Sequence, residues 1–155
     1  MTKQVVRLTV NGIEKEVYVR NSETLIHTLR HQLGLMGAKP ACNNGDCGAC
    51  TVLIDGMPLN SCHTLTVENK NQNITTIEGL TDTTIQERFI KNWAIQCGYC
   101  TPGYVLNCYA LIETKPNADD ATIDEWLDSN ICRCTGYEEI KQTVKEMMQM
   151  KNVNG

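Results

Sequence analysis

The stretch Cys42-Asn43-Asn44-Gly45-Asp46-Cys47-Gly48-Ala49-Cys50 decides how this chain is organised. It places three cysteines within nine residues, so their thiols can meet only where the backbone folds tightly. Gly45 and Gly48 suit such a fold, because glycine adopts positive φ at little cost and lets backbone N–H groups approach sulfur. A further cysteine, Cys62, follows one short predicted hairpin. We therefore predict that these cysteines share one metal site.

The spacing of the cysteines indicates which metal centre they hold. Cys42, Cys47 and Cys50 follow the pattern C-x4-C-x2-C, and Cys62 completes the set. This is the ligand arrangement of plant-type ferredoxins, which bind a [2Fe-2S] cluster through four thiolates. We predict these four cysteines as the ligands of a first cluster, with the backbone of Gly45 and Gly48 lying around it.

The segments on either side of this loop predict a small sheet with one helix. Strand-like runs occupy residues 5–10, 13–19, 51–54, 57–59 and 74–77. Asn11-Gly12 and Asp55-Gly56 are typical of the tight turns that join hairpin strands. Asn21 or Ser22 is the predicted cap of a helix that Gly34 ends. This order of elements predicts a β-grasp, ferredoxin-like domain at residues 1–80.

Helical periodicity replaces strand alternation near Glu78–Asp82, which predicts a linker there. The predicted helices of the second half begin near Thr84, Thr101, Thr122 and Tyr137. Thr84 and Thr122 each fit the first position of a capping box, and Pro102 suits a first helical turn. The predicted fold class is therefore α+β, with the ferredoxin-like domain followed by a four-helix domain at residues 81–155.

A second set of cysteines lies in the helical half. Cys97 and Cys100 precede the helix at Pro102, and Cys132 and Cys134 precede the last helix. Helix N termini favour negative charge, because their unpaired N–H groups lie at the positive end of the helix dipole. Two such ends facing each other would suit an anionic centre held by four thiolates.

Spacing alone leaves the metal at this second site open between zinc and iron-sulfur. A C-x2-C pair followed by a later cysteine pair occurs in many structural zinc sites. Zinc sites usually repeat the C-x2-C spacing, however, whereas only one residue separates Cys132 from Cys134. A disulfide is a weaker third interpretation.

Composition excludes several other classes of protein. The net charge is −4 and there is no basic run, so nothing predicts binding to nucleic acid or anionic lipid. No apolar run approaches the roughly 18 residues that a membrane span needs, and the N terminus lacks the core of a secretory signal. We therefore expect a cytoplasmic protein, in which nine cysteines indicate metal or redox use rather than disulfides. Cys108, the odd cysteine, is predicted to lie in the core.

Three motifs together resemble one family. They are residues 42–52, Gln96-Cys97-Gly98-Tyr99-Cys100-Thr101-Pro102-Gly103 and Cys132-Arg133-Cys134-Thr135-Gly136-Tyr137. In this order they closely resemble the iron-sulfur subunit of the molybdenum hydroxylases, the family of xanthine dehydrogenase and aldehyde oxidoreductase. The resemblance spans residues 4–148 and implies that the second site also holds a [2Fe-2S] cluster. Its implied ligands are Cys97, Cys100, Cys132 and Cys134.

The resemblance also implies a role in electron transfer. Electrons would pass from molybdopterin on a large subunit to the Cys97 cluster, then to the Cys42 cluster, and then to FAD on a medium subunit. Gln96 and Cys134 would contact the pterin, and the assembly would be a dimer of heterotrimers. Substrate chemistry would take place on a partner chain. The alternative is a freestanding two-cluster ferredoxin or a zinc-stabilised adaptor.

Overall fold

The computed structural model describes residues 2–154, with side chains described through residue 151. The strands are β1 (Lys3–Val10), β2 (Ile13–Arg20), β3 (Thr51–Ile54), β4 (Met57–Asn60) and β5 (Asn73–Thr75). The α-helices are α1 (Leu25–His31), α2 (Thr84–Lys91), α3 (Thr101–Thr114), α4 (Asp120–Leu127) and α5 (Glu138–Asn154). The described chain therefore combines a five-stranded sheet with five α-helices. No helix in this range is long and apolar enough to cross a membrane.

The sheet has the strand order β2-β1-β5-β3-β4. β1 pairs with β5 in parallel, and the other neighbouring strands are antiparallel. Alternate β1 residues are buried, because one face of the sheet packs against Leu25 and Leu29 of α1. On the opposite face, Leu53 of β3 packs against Leu106 and Ala110 of α3. β3 is thus buried on both faces, and it leads directly out of the Cys42–Cys50 loop.

Both predicted hairpin turns are confirmed. Asn11 and Gly12 have φ of 52° and 75°, and Asp55 and Gly56 have φ of 49° and 85°. Two successive residues at positive φ define the type I′ turn, whose twist matches that of the flanking strands. β3 and β4 therefore pair in the register that returns the chain to Cys62.

The predicted cap of α1 is wrong. The helix is preceded by Thr24 rather than by Asn21 or Ser22. Asn21 is engaged elsewhere, because its side-chain oxygen accepts a hydrogen bond of 2.7 Å from Gln4 on β1. Asn21, a residue type that often caps helices, therefore hydrogen-bonds to the neighbouring strand instead.

The predicted caps of two later helices are also wrong. α4 begins earlier than expected, because the Asp119 carboxylate accepts the Thr122 N–H at 2.9 Å and caps the helix. Thr83 rather than Thr84 precedes α2. Aspartate is as good a cap as threonine, so the more N-terminal candidate lengthens the helix.

The helices α2 to α5 share a hydrophobic core around α3. Tyr104 and Leu111 of α3 are fully buried and pack in one cluster with Phe89 of α2 and Val144 of α5. Cys108 lies in the same cluster with 0% exposure, which confirms its predicted place in the core. The residues that precede α3 and α5 carry the second set of cysteines, so this packing positions them.

Candidate metal centres

The Cys42–Cys50 loop folds back on itself through residues at positive φ. Asn43, Gly45 and Gly48 have φ of 57°, 89° and 66°. As a result, backbone N–H groups point at sulfur, and the Cys47 amide lies 3.4 Å from Cys42 Sγ. Backbone hydrogen bonds, above all from Asn44, lower the pKa of Cys42 to about 6. The loop therefore stabilises a thiolate at Cys42 before any metal binds.

The other two cysteines of this quartet lie on the inner side of the loop. Cys50 and Cys62 are only 1% and 7% exposed and pack with Ile26 of α1. Burial, with the neighbouring thiols of Cys62 and Cys47, raises the pKa of Cys50 to about 12. The Cys47 amide thus lies beside Cys42 Sγ and the Cys47 thiol lies near Cys50, so neighbouring members of the first quartet are close to each other.

Two residues that the sequence analysis did not identify tie β4 to this loop. Asn60 Nδ2 donates to the Gly45 carbonyl at 2.6 Å, and Ser61 Oγ donates to the Cys50 carbonyl at 2.6 Å. Ser61 has 0% exposure, so its hydroxyl satisfies a buried carbonyl. Only their position immediately before Cys62 could have indicated this role from the sequence, since residues next to a metal ligand often orient it.

The second quartet forms from two pairs of sulfur atoms. Cys97 and Cys134 are exposed and are hydrogen-bonding neighbours, while Cys100 lies beside Cys132, which is 6% exposed. The backbone amide of Tyr99 lowers the pKa of Cys97, whereas the hydrogen bond that Cys134 donates to Cys97 raises the pKa of Cys134. Burial raises the pKa of Cys100 to about 12.

Cys132 shows a balance of opposing effects. Burial raises its pKa, but hydrogen bonds outweigh this and the net pKa is lowered. The principal one comes from Thr135, whose hydroxyl oxygen lies 3.2 Å from Cys132 Sγ. This buried sulfur therefore has its own donor three residues along the chain.

The two helix ends near this quartet differ in their electrostatics. Cys100 directly precedes α3, and the first turn of α3 has no acidic residue. α5 begins at Glu138, one residue later than predicted, because Tyr137 has φ of 75°. Glu138 and Glu139 lie in its first turn and neutralise part of the helix dipole. The favourable field predicted for an anionic centre therefore comes chiefly from α3.

The donor set fits a [2Fe-2S] cluster. Among residues 2–151, no three cysteine, histidine or acidic side chains lie close enough together to hold one metal ion. In the second quartet the sulfur atoms meet in pairs instead, Cys97 with Cys134 and Cys100 with Cys132. A diiron cluster takes two protein ligands on each iron, so paired thiols match its needs.

The cysteine loops of the two halves contact each other directly. The Ile131 N–H donates to the Cys47 carbonyl at 3.0 Å. The Tyr99 hydroxyl donates to the Pro40 carbonyl at 2.6 Å. Ile131 precedes Cys132, and Tyr99 lies between Cys97 and Cys100. Both segments that carry the second quartet are therefore hydrogen-bonded to the segment that carries the first.

The pKa differences predict an order of thiol reactivity in the cluster-free chain. Near pH 7, iodoacetamide is expected to modify Cys42 well before Cys108, because the thiolate is the nucleophile. Cys42 has a pKa of about 6, whereas complete burial raises that of Cys108 to about 12. As the pH falls through about 6, Cys42 becomes protonated and its labelling slows. Peptide mass spectrometry measures both rates. Equal labelling of the two cysteines, or no pH dependence at Cys42, would contradict this expectation.

Comparison with known proteins identifies the family. A model of the 2Fe-2S iron-sulfur cluster binding domain matches residues 8–80, and a model of a [2Fe-2S] binding domain matches residues 76–145. The nicotine 6-hydroxylase small subunit of Paenarthrobacter nicotinovorans is 40% identical over 150 residues, which cover 94% of this chain and 91% of the relative. This chain belongs to the iron-sulfur small subunits of the molybdenum hydroxylases.

Other relatives of this iron-sulfur subunit agree. The nicotinate dehydrogenase small FeS subunit of Eubacterium barkeri is 36% identical over 149 residues, covering 94% of this chain and 95% of the relative. In the crystal structure of quinoline 2-oxidoreductase from Pseudomonas putida 86, a chain with 34% identity superposes with a TM-score of 0.90. The match covers 99% of this subunit and 98% of that chain.

Membership of this family favours one class of function. The chain is the iron-sulfur, electron-transfer component of an oxidoreductase and contains two [2Fe-2S] domains. This supports the interpretation from the motifs over a freestanding ferredoxin or a zinc-stabilised adaptor. Substrate chemistry in such enzymes lies on partner chains, and the relatives above are named as small subunits.

Proposed function

We propose that this subunit relays single electrons from molybdopterin on a large partner subunit to FAD on a medium partner subunit. The observation that carries this proposal is the direct hydrogen bond between the two cysteine loops, from Ile131 N–H to the Cys47 carbonyl. A relay needs its two centres close together and rigidly held. When bound, each [2Fe-2S] cluster would take up and release one electron.

We assign the ligands by quartet. Cys97, Cys100, Cys132 and Cys134 hold the cluster nearer to molybdenum, and Cys42, Cys47, Cys50 and Cys62 hold the cluster nearer to the flavin. Backbone groups around Gly45 and Gly48 surround the cluster nearer to the flavin. The support is that neighbouring cysteines within each quartet lie close together, with backbone N–H groups directed at Cys42 and Cys97.

The proposed domain boundary lies at residues 80 and 81. A β-grasp domain at 1–80 is supported by the five-stranded sheet with α1 on one face. A four-helix domain at 81–155 is supported by the shared core of α2 to α5. Residues 1 and 155 themselves lie outside the described residues.

The exposed side of the second quartet is the proposed contact with the large subunit. Gln96, Cys97 and Cys134 are exposed there, and we propose that Gln96 and Cys134 contact the pterin. A few residues earlier in the chain, Ile90 is 66% and Trp93 is 82% exposed. Large exposed apolar side chains favour burial by a partner.

We further propose a dimer of heterotrimers in the cytoplasm. The similarity to proteins named as small subunits supports a multi-subunit enzyme. No two of the nine cysteines form a disulfide in the structure, which suits a reducing compartment.

Metal analysis of the purified complex tests this function. We expect about four irons and four labile sulfides per chain, and two distinct paramagnetic signals after reduction. The two signals follow because the quartets differ in burial and in hydrogen bonds to sulfur. Zinc with only about two irons would contradict the assignment and favour the adaptor. A stable monomer that reduces no flavin partner would favour the freestanding ferredoxin.

A further inference from the structure

Asn130 lies between the two cysteine loops and is only 2% exposed. Its side-chain Nδ2 donates to the Gly48 carbonyl at 3.0 Å. Its Oδ1 accepts hydrogen bonds from Asn107 Nδ2 at 3.0 Å and from Ser129 Oγ at 3.1 Å. Its backbone carbonyl accepts the Tyr104 hydroxyl at 2.6 Å. Both ends of the amide are therefore held, and the residue is anchored to α3 and to the first loop together.

The space around this amide is too small for one more methyl group. A Cβ atom added to Gly48 would lie 2.1 Å from Asn130 Nδ2. A Cβ atom added to Gly103, in the first turn of α3, would lie 2.2 Å from the Gly48 carbonyl oxygen. The first loop, the start of α3 and Asn130 are thus in contact at backbone distance, which leaves little freedom to slide.

This contact lies next to ligands of both quartets along the chain. Gly48 follows Cys47, Gly103 follows Cys100 by three residues, and Asn130 precedes Cys132 by two. None of the four hydrogen bonds described for Asn130 involves a cysteine sulfur. It acts on the ligands only through the backbone segments that it joins.

We propose that Asn130 is a positioning residue that sets the separation of the two clusters and thereby their electron exchange. The proposal rests on the proposed function, because it requires a cluster in each quartet. In the exchange, the cluster held by Cys132 is oxidised by one electron and the cluster held by Cys47 is reduced by it, so no further reactant is needed. Since electron transfer weakens steeply with distance, a loosened contact slows it without removing a ligand.

The test compares Asn130→Ser with Asn69→Ser in the complex purified with its partners. Asn69 is a matched control, because it is 1% exposed and donates to the Leu65 carbonyl at 2.7 Å, within the first half of the chain. For Asn130→Ser we expect an unchanged iron content and unchanged signals from each reduced cluster. The magnetic splitting between the clusters should shrink and electron exchange should slow severalfold. Asn69→Ser should change neither.

A second variant, Gly103→Ala, adds a methyl group to α3 that forces the Gly48 carbonyl away from this helix. The Asn130 side chain itself is unchanged. This variant should also reduce the magnetic splitting. Full iron with unchanged splitting in both variants would overturn the proposal. Loss of iron from both, with Asn69→Ser intact, would also overturn it, because Asn130 would then be a structural residue of the loop. Failure of the proposed function is distinguishable, because the unmodified complex would then lack one of the two cluster signals.

Discussion

Cys132→Ser is expected to remove one cluster and abolish electron transfer from the molybdenum site to the flavin. Cys132 is 6% exposed and lies beside Cys100, and its sulfur accepts a hydrogen bond from the Thr135 hydroxyl. A serine hydroxyl remains protonated where this thiol ionises, so it cannot replace the thiolate ligand. Iron should fall from about four to about two per chain, and the signal of one reduced cluster should disappear. Metal analysis and electron paramagnetic resonance measure both.

Cys108→Ala is the matched control for this prediction. Cys108 is a cysteine with 0% exposure in the core around α3, but it belongs to neither quartet. Removing its sulfur costs about 1 kcal/mol of stability through a small cavity, and the iron content should not change. Iron loss from Cys108→Ala together with full iron in Cys132→Ser would show that the ligand assignment is wrong.

Gly48→Ala is expected to destabilise the chain by about 2–5 kcal/mol and to lower its iron content. The backbone there has φ of 66°, where a side chain costs about 1–2 kcal/mol. The new Cβ would also lie 2.1 Å from Asn130 Nδ2 and 2.6 Å from the Ser129 carbonyl oxygen. Relieving this overlap costs about 1–3 kcal/mol more and displaces the backbone beside Cys47. Denaturant unfolding of the purified chain measures the cost.

Gly12→Ala separates the two contributions to that cost. Gly12 has φ of 75°, yet a Cβ atom there would meet nothing within 4 Å. Gly12→Ala should therefore be destabilised only by the positive φ, by about 1–2 kcal/mol, and the chain should keep its iron. If the two variants were equally destabilised, the Cβ added in Gly48→Ala would meet no packing strain from Asn130, which would contradict the close contact between the two residues.

Local patterns in the sequence correctly predicted the two hairpin turns and the core position of Cys108. The C-x4-C-x2-C spacing, the Asn11-Gly12 and Asp55-Gly56 turns and the burial of Cys108 depend on residues close together in the chain. The errors occurred where two candidates competed locally. Asp119 rather than Thr122 caps α4, and Asn21 is hydrogen-bonded to Gln4 across the sheet. Which candidate residue caps a helix depends on contacts with other parts of the fold, and one segment of sequence does not contain these.

The sequence by itself determined the family, the two sets of cysteines and their order along the chain, because ligand spacing and turn chemistry are local properties. Only the tertiary structure decided how the two loops meet. The hydrogen bond from Asn130 to Gly48 joins residues 82 positions apart, and no periodicity or motif connects them. It exists because α3 packs against β3 on one side and against α2, α4 and α5 on the other. Packing of the two halves therefore sets the placement of the two cysteine loops, whereas the cysteine pattern predicts only which residues are ligands.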